Sequence, residues 1–228
     1  MTGPARDRTA AGPASALRWT LVVPLKSAHE AKSRLAAWLE PGPRRALVRA
    51  MAADTLAAAA AAQRVDRIVV VTGDPATARY ARRAAGALVD VVAEPEPGGL
   101  NPAARAGIAR ARELAPSHGV GVLLGDLPAL RPADLDDALA QAARCPLALA
   151  TDACGTGTTL LTAVPGSTVD PAFGPGSAQV HQARGHVRLF VAAGLTHDVD
   201  VPADLAAVLA LGVGPRTRRA AGGLAPPC

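Results

Sequence analysis

The 228-residue sequence predicts a single α/β domain, a three-layer α/β/α sandwich around a mostly parallel sheet. Short apolar segments of strand length alternate along the chain with segments of helix length, which is typical of this class. The strand-like segments are apolar on both faces, as expected for strands covered on both sides. Half of the residues are hydrophobic, enough to fill a core. Right-handed crossovers between parallel strands then place helices on both faces of the sheet.

The first half of the chain contains three predicted strands and two helices. Residues 19–25 (WTLVVPL) and 67–72 (RIVVVT) are apolar runs rich in β-formers, and residues 87–93 (ALVDVVA) form a third. Residues 43–63 repeat apolar positions at a spacing of four, and residues 77–85 follow a strong turn, so both segments predict helices.

The second half repeats the alternation. Asn101 is a good N-cap and Pro102 is favoured at the first helical position, so a helix is predicted to begin there. We expect Ser177 to N-cap a later helix that ends near Gly185. The remaining predicted strands are residues 119–124, 146–151 and 158–163, and the remaining predicted helices are residues 132–143 and 202–211.

The domain is predicted to span residues 18–215. Residues 1–17 and 216–228 are rich in Pro, Gly, Ala and Arg without periodicity, and we expect both to be disordered. The net charge of +5 resides largely in six arginines near the ends, Arg6, Arg8, Arg18, Arg216, Arg218 and Arg219. With only five aromatic residues, the chain has no rows of rings on which bases stack. A nucleic-acid partner is therefore not expected.

Two observations favour a cytoplasmic protein. The sequence has neither a charged n-region followed by a long apolar h-region nor an apolar stretch of about 20 residues. Its three cysteines, Cys145, Cys154 and Cys228, form neither a CxxC pair nor an even framework, which favours a reducing compartment. We expect no membrane partner.

Ligands of open α/β sheets bind beyond the carboxyl ends of the strands, and the loop after the first strand is the most informative there. Lys26, Lys32 and Arg34 place three cations within nine residues, a pattern that favours a polyphosphate site. A solvated basic turn is the alternative. The sequence lacks GxxxxGK[ST] and GxGxxG, so neither a P-loop nor a dinucleotide-binding fingerprint is present.

Carboxylates follow two later segments. Asp126 comes directly after a strand, where it can hold magnesium, although it can equally cap the next helix. Asp198 and Asp200 alternate along a predicted strand and so project to one side. Two carboxylates at one place need a cation or water between them. Asp200 alternatively caps the helix that begins at Pro202.

Two small, hydroxyl-rich loops complete the candidate site, residues 155–159 (GTGTT) and 173–177 (FGPGS). Ser177 at a helix N-terminus creates an anion site from the unpaired amides, and Gly174 permits close approach of the backbone. His181 lies one turn later on the same face and can line that pocket. The alternative is two ordinary turns. The five histidines show no HxH or HExxH spacing, so zinc is not predicted.

Taken in order, these motifs resemble one family, the guanylyltransferases of coenzyme F-420 biosynthesis. Those enzymes use phosphoenolpyruvate or 2-phospholactate as the acceptor. The motifs are VPLK (23–26) with KSRL (32–35), VVVTGDP (69–75), GGLN (98–101), LLGDLPAL (123–130), GTGTTLL (155–161), FGPGS (173–177) and DVDVPADL (198–205). Sugar-nucleotide and molybdenum-cofactor nucleotidyltransferases share some of them but carry a Gly-rich loop after the first strand, where this chain has Lys26, Lys32 and Arg34.

The resemblance implies a nucleotidyltransferase fold and a reaction of GTP with phosphoenolpyruvate that releases pyrophosphate. It implies Mg²⁺ held by Asp126, Asp198 and Asp200. Carried onto this sequence, the other roles fall into three groups. They are catalysis by Lys26, Lys32, Arg34 and Asp126, phosphoenolpyruvate binding by Thr158, Gly174 and Ser177, and nucleotide binding by Thr72, Gly73, Asp74, Gly98, Gly99 and Asn101.

Several alternatives stay open at this point. The acceptor is phosphoenolpyruvate or 2-phospholactate, and the Ala/Arg-rich composition favours phosphoenolpyruvate. A molybdenum-cofactor or sugar-phosphate nucleotidyltransferase and a nucleotide-binding regulatory module are the other interpretations. The resemblance also implies a partner, the Fo-dependent phosphotransferase that would receive the product.

Overall fold

A computed structural model describes residues 16–26, 35–36 and 38–224, and these form seven strands and eight α-helices. The strands are β1 (Trp19–Pro24), β2 (Val65–Val71), β3 (Val89–Val92), β4 (Gly119–Leu123), β5 (Leu147–Thr151), β6 (Thr158–Ala163) and β7 (Val187–Arg188). The helices are α1 (Pro41–Ala61), α2 (Pro75–Ala85), α3 (Leu100–Leu114), α4 (Pro132–Ala142), α5 (Ser177–Ala183), α6 (Ala193–Thr196), α7 (Pro202–Leu211) and α8 (Pro215–Ala221).

The strands form one sheet in the order β3-β2-β1-β4-β6-β5-β7. β1, β2, β3 and β4 are parallel to one another, whereas β6 is antiparallel to both β4 and β5. The chain proceeds from β1 to β2 and β3 on one side and then crosses to β4 on the other. This reversal creates a topological switch point between the carboxyl ends of β1 and β4, where ligands of such sheets bind.

Alternate residues of β1 face opposite layers of the core. Leu21 and Val23 pack with apolar residues of α1, α2 and α4 on one face, and Val22 packs with α3 and α5 on the other. All three side chains are fully buried. Helices on both faces confirm the predicted three-layer sandwich, because a strand apolar on both sides needs cover on both sides.

Gly107 brings α3 into close contact with the sheet. A Cβ at this position would lie 2.2 Å from Val22 Cγ1 and 2.9 Å from Val71 Cγ2. Any larger residue would push α3 away from β1 and β2. The helix whose first residues border the candidate site is therefore held by a glycine contact in its middle.

A third apolar cluster supports the switch point. Val199, Leu205 and Val208 pack against Leu47 and Met51 of α1. The segment before α7 is thereby fixed above the carboxyl ends of the central strands.

The C-terminal prediction was wrong for the part that the structure describes. Residues 215–221, expected to fall largely in a disordered tail, form α8. Asp54 of α1 is buried and accepts hydrogen bonds from the backbone amides of Thr217 (2.7 Å) and Arg216 (3.3 Å). Thr217 is fully buried, so this basic segment belongs to the domain. Residues 225–228 and 1–15 lie outside the described residues.

Three local predictions were also wrong. Residues 198–200 are a loop rather than a strand. α3 begins at Leu100 with Gly99 as its N-cap, and α5 begins at Ser177 with Gly176 as its N-cap. In both helices the expected capping side chain makes a longer-range contact instead. The described part of the chain contains no helix that is both long and apolar enough to cross a membrane.

Candidate active site

A cleft of about 470 Å³ opens at the switch point, beyond the carboxyl ends of β1, β2 and β4. Its polar lining comes from the loops after β1, β3 and β4 and the loop before α7, and its apolar lining comes mainly from α1, α3 and the strand ends. A volume of this order accommodates a small-molecule ligand. The charged residues that line it are Lys26, Glu94, Asp126, Asp198 and Asp200.

Asp126, Asp198 and Asp200 come together in this cleft. One carboxylate oxygen from each lies within 4.8 Å of those of the other two. All three residues are partly buried. Three carboxylates this close repel one another unless positive charge compensates them. Because the donors are all oxygen, the cluster suits a hard divalent cation such as Mg²⁺.

The loop before α7 orients two of these carboxylates through the residue between them. Val199 is fully buried in the third apolar cluster. Asp204 in the first turn of α7 accepts hydrogen bonds from the amides of Asp200 and Val201, both at 2.8 Å. The turn that presents Asp198 and Asp200 is therefore fixed by one buried valine and one carboxylate. Asp200 is not the N-cap of α7, a position that Val201 occupies.

Asp126 is fixed from both sides. Leu127 is fully buried, and its amide donates to Thr55 Oγ1 at 3.1 Å. On the other side, a Cβ at Gly125 would lie 2.2 Å from Leu25 Cδ2, so any side chain there would have to displace the Leu25 side chain at the end of β1. Asp126 does not cap α4, whose N-cap is Arg131.

Lys26 lines the same cleft, and the strand register explains why. Trp19 of β1 pairs with Gly119 of β4, and Val22 pairs with Val122. Continued past the strand ends, this register brings Lys26 alongside Asp126. Lys26 is exposed, which leaves its ammonium group accessible to a ligand. The other two predicted cations, Lys32 and Arg34, lie outside the described residues.

Thr158, Ser177 and His181 form a buried polar cluster beside this edge of the sheet. Ser177 Oγ donates to Thr158 Oγ1 at 3.2 Å, and His181 Nδ1 lies 2.9 Å from the same oxygen. The Leu124 amide donates to Thr159 O at 2.9 Å, which extends the β4–β6 pairing. That backbone hydrogen bond brings the polar cluster alongside the loop that carries Asp126.

The helix start at Ser177 differs from the expected anion site. The amide of Ser177 donates to Gly174 O at 3.1 Å, and the amide of Ala178 donates to Thr156 O at 3.0 Å. These amides are therefore engaged within the fold. The polar groups that the two loops contribute here are side-chain hydroxyls, and Gly174 adopts a φ of +145° that favours glycine.

His181 is fully buried and does not line the cleft. Its Nε2 accepts a hydrogen bond from the Ala172 amide at 2.9 Å, and its ring meets that of Phe173 edge-on with centroids 5.4 Å apart. Burial, with smaller contributions from His186 and Arg184, lowers the pKa of His181 to about 4. The imidazole is therefore neutral near pH 7 and holds the loop that precedes Ser177.

Asn101 secures the same loop from α3. Its side-chain amide donates to Phe173 O at 2.9 Å, and its Oδ1 accepts from the Phe173 amide at 2.7 Å. The Asn101 side chain thus both donates to and accepts from the backbone of one residue of the FGPGS motif. Asn101, predicted among the nucleotide-binding residues, connects the GGLN segment to that motif.

Of the other predicted nucleotide-binding residues, Gly99 lines the cleft. Asp74 caps α2, accepting from the amides of Ala76 (3.0 Å) and Thr77 (3.2 Å). Burial raises the pKa of Asp74, but the hydrogen bonds from Thr77 and from these amides outweigh it, so the pKa is lowered overall. Thr72 accepts from the Asp74 amide at 3.2 Å. Gly73 and Gly98 both lie near the Glu94 side chain.

Sequence reasoning did not single out Glu94 or Tyr80, and both line the cleft. Glu94 Oε1 accepts from the Gly99 amide at 3.0 Å, which shapes the loop before α3. The EPEPGG segment directly follows a predicted strand, so a carboxylate at that position carried a usable signal. Tyr80 lies within α2 and its position in the sequence carried no such signal, because the approach of α2 to α1 is a tertiary contact.

The chain is similar in sequence to proteins of one family. Residues 19–220 match the model of a protein family described as "Guanylyl transferase CofC like". A phosphoenolpyruvate guanylyltransferase of Sanguibacter keddieii is 51% identical over 235 residues, covering 87% of this chain and 82% of that protein. A phosphoenolpyruvate guanylyltransferase of Streptomyces scabiei is 48% identical, covering 90% of this chain and 96% of that protein.

Solved structures share the fold. A candidate nucleotide-diphospho-sugar transferase from Desulfovibrio desulfuricans G20 superposes with a TM-score of 0.66 at 17% identity, covering 88% of this chain and 90% of that one. A 4-diphosphocytidyl-2C-methyl-D-erythritol synthase from Anaerococcus prevotii gives a TM-score of 0.53 at 10% identity, covering 86% and 96%. The fold is therefore that of the nucleotide-diphospho-sugar transferases. By its match to the family model over residues 19–220, the chain belongs to the CofC-like guanylyl transferase family.

Proposed function

We propose that this protein is a phosphoenolpyruvate guanylyltransferase of coenzyme F-420 biosynthesis. It transfers GMP from GTP to phosphoenolpyruvate, giving enolpyruvyl-2-diphospho-5'-guanosine and pyrophosphate. The observation that carries the proposal is the cluster of Asp126, Asp198 and Asp200 beside Lys26 at the switch point. Relatives that cover most of the chain carry this enzyme name, which supports the choice of substrates.

The chemistry requires positioning rather than proton removal. A phosphate oxygen of phosphoenolpyruvate attacks the α-phosphorus of GTP, and the bond from that phosphorus to the α,β-bridging oxygen breaks. Pyrophosphate leaves with the bonding electrons. The attacking oxygen is already ionised at neutral pH, so no general base is needed.

Charge compensation is the remaining requirement, since both substrates are polyanions. Lys26 lies where it can neutralise phosphate charge, and we propose that Lys32 and Arg34 act beside it. Asp126, Asp198 and Asp200 form the oxygen donor set that would hold Mg²⁺. Further neutralisation of the phosphates is the chemistry that such a cation supplies when bound. The carboxylates themselves bind no phosphate directly.

We assign the two substrates to opposite sides of these carboxylates. Thr158, Gly174 and Ser177 are proposed to bind phosphoenolpyruvate, and their cluster lies alongside the Asp126 loop. The nucleotide is assigned to the loops after β2 and β3, with Gly99 in the cleft lining. The residues proposed there are Thr72, Gly73, Asp74, Gly98, Gly99 and Asn101.

Pyrophosphate release from a panel of substrate pairs tests the proposal. The purified chain with Mg²⁺ is offered GTP, ATP or CTP together with phosphoenolpyruvate, 2-phospholactate, a sugar phosphate or a molybdopterin. We expect turnover with GTP and phosphoenolpyruvate, and a product whose mass equals that of GMP joined to the acceptor. Preference for 2-phospholactate would make it the acceptor in place of phosphoenolpyruvate. Turnover only with a sugar phosphate or a molybdopterin would mean that the chain catalyses a different nucleotidyl transfer. No turnover with any pair would favour a nucleotide-binding regulatory module.

The product is a reactive enol diphosphate ester that a second enzyme must consume. We propose direct transfer to the Fo-dependent phosphotransferase of the same biosynthesis as the partner interaction. A lower steady-state concentration of free product when both enzymes are present at matched flux would support it.

A further inference from the structure

We propose that His181 is a positioning residue of the acceptor pocket, one that sets the Thr158 hydroxyl as a hydrogen-bond donor to the anionic acceptor. The inference rests on the proposed function, because it assumes that Thr158 contacts phosphoenolpyruvate. It adds a residue that touches neither the cleft nor the substrate. Three hydrogen bonds around one imidazole and one hydroxyl support it.

The tautomer of His181 follows from its partners. The Ala172 amide donates to Nε2 at 2.9 Å, so Nε2 is the unprotonated nitrogen that accepts. The proton of the neutral ring is then on Nδ1. Nδ1 lies 2.9 Å from Thr158 Oγ1, and therefore donates to that oxygen. A backbone amide that cannot rotate thus fixes the direction of the next hydrogen bond.

The hydrogen bond from His181 in turn fixes the role of the Thr158 hydroxyl. Its hydroxyl oxygen receives one hydrogen bond from His181 and a second from Ser177 Oγ at 3.2 Å. A hydroxyl has two acceptor lone pairs and one hydrogen, so its acceptor capacity is filled. Because Ser177 Oγ is the donor in its pair with Thr158, the hydrogen bonds of the described residues leave the Thr158 hydrogen without an acceptor, although Thr158 is only 3% exposed. Buried donors are normally paired, so this one points to a bound anion or an ordered water.

The surroundings keep His181 neutral. The titratable and charged groups that face it are His186, Arg184 and Asp170. His186 Nδ1 lies 3.0 Å from the His181 carbonyl oxygen, and burial also lowers the pKa of His186. A charged imidazolium would donate from both nitrogens and would have no acceptor for the Ala172 amide. The network therefore requires the neutral ring, in agreement with a lowered pKa.

Two substitutions separate the two hydrogen bonds of His181. His181→Gln places an acceptor at the position of Nε2, keeping the bond from Ala172 and losing the donor to Thr158. His181→Asn places a donor at the position of Nδ1, keeping the bond to Thr158 and losing the acceptor for Ala172. If His181 only fills the core, both variants should bind phosphoenolpyruvate with the same affinity, after correction for any difference in melting temperature.

The measurement is the KM for phosphoenolpyruvate and for GTP, together with the dissociation constant of phosphoenolpyruvate by calorimetry without GTP. We expect His181→Gln to raise both phosphoenolpyruvate constants roughly tenfold, the value of one hydrogen bond to a charged group. The KM for GTP should not change, and His181→Asn should raise the phosphoenolpyruvate constants clearly less than His181→Gln does. Equal phosphoenolpyruvate constants for the two variants would overturn the proposal.

A Thr158→Val background provides the second test. If His181 acts through the Thr158 hydroxyl, His181→Gln has no further effect on phosphoenolpyruvate affinity once that hydroxyl is absent. An undiminished effect in the Thr158→Val chain would overturn the proposal. Because calorimetry needs no turnover, the proposed reaction can fail while this inference holds. Absence of phosphoenolpyruvate binding by the unmodified chain would overturn the inference itself.

Discussion

The three aspartates of the cleft come from two separate loops, and each loop is fixed by neighbours outside the cluster. Leu127 and Thr55 hold the loop of Asp126, whereas Val199 and Asp204 hold the loop of Asp198 and Asp200. The repulsion among the carboxylates is therefore opposed by the core. Such a preorganised set of oxygen donors suits a divalent cation, and positive charge is what the proposed transfer between two polyanions requires.

Asp126→Asn tests the role of this charge. The substitution preserves shape and removes one negative charge from the donor set, so we expect kcat/KM for pyrophosphate release to fall by a factor of about 10² to 10³. Asp137→Asn in α4, where Asp137 is exposed, is the matched control and should leave turnover within about twofold. Thermal melting should be similar for both variants. Near-normal turnover of Asp126→Asn would contradict the assignment.

The buried His181 also predicts a pH dependence of stability. Its pKa is about 4 in the folded chain and about 6.5 when unfolded, so the unfolded state binds more protons between these values. The free energy of unfolding is unaffected by this group above pH 6.5 and falls as the pH decreases toward 4, by about 3 kcal/mol in total. His186 contributes in the same direction.

Urea unfolding at pH 7 and at about pH 4.5 measures this effect in the original chain and in His181→Gln. The glutamine does not titrate, so the variant should lose less stability between the two pH values. An equal loss in both chains would show that His181 does not titrate in this window.

At the scale of elements, the contact of α3 with the sheet depends on glycine, which has no side chain, at position 107. Gly107→Ala would place a Cβ 2.2 Å from Val22 Cγ1, and we expect it to cost about 1–3 kcal/mol of unfolding free energy. Gly42→Ala in the first turn of α1, where no atom lies within 4 Å of the new Cβ, should be neutral or stabilising by up to about 1 kcal/mol. Chemical denaturation compares the two, and equal effects would contradict the packing argument.

The attachment of α8 depends on a buried carboxylate. Asp54→Ala leaves the amide of the buried Thr217 without its acceptor, and we expect a loss of about 2–3 kcal/mol. Asp170→Ala removes an acid whose side chain is 56% exposed and ion-paired with Arg105 and Arg184, and should cost less than about 1 kcal/mol. If both variants unfold at the same denaturant concentration, α8 is not held by Asp54.

These elements differ in how far their sequences predicted them. β6 (Thr158–Ala163) and α7 (Pro202–Leu211) have the predicted bounds, because both are apolar segments with clear turn residues on either side. The antiparallel direction of β6 was not predicted, since the hydrophobic period gives burial but not orientation. α8 was not predicted because Thr217 is its single buried residue, and the flanking Arg216, Arg218 and Arg219 make the segment look like a solvated basic tail.

The site was predicted to a similar degree. Asp126 was singled out because it follows a strand, and Asp198 and Asp200 because they alternate along a predicted strand. That segment is a loop, but the structure still places the three aspartates together, and their shared metal role, implied by the resemblance, stays a prediction. The side-chain partners of Asn101 and His181 could not be predicted. Asn101 contacts Phe173, which is distant in the sequence, and the contact of His181 with Ala172 depends on how the fold orients the loop between them. Lys32 and Arg34 stay predictions, since they lie outside the described residues.

At the scale of the whole molecule, the order of the strands explains where the chemistry is. β1 and β4 are adjacent in the sheet but separated in the chain by β2 and β3, so their carboxyl ends enclose the cleft. Lys26 and Asp126 reach it in register, and the pairing of β6 with β4 places Thr158 beside the loop of Asp126. The carboxyl edge of the sheet thus brings Lys26 and the three aspartates into one cleft.

The most direct measurement follows the two ends of GTP separately. GTP labelled with radioactive phosphorus at the α-position and, in a second reaction, at the γ-position is incubated with the chain, Mg²⁺ and phosphoenolpyruvate, and the products are separated by chromatography. We expect the α-label in a product that also contains the enolpyruvyl group, and the γ-label in pyrophosphate. A γ-label in the acceptor product, or an α-label that stays in GTP or free GMP, would contradict guanylyl transfer by this cleft.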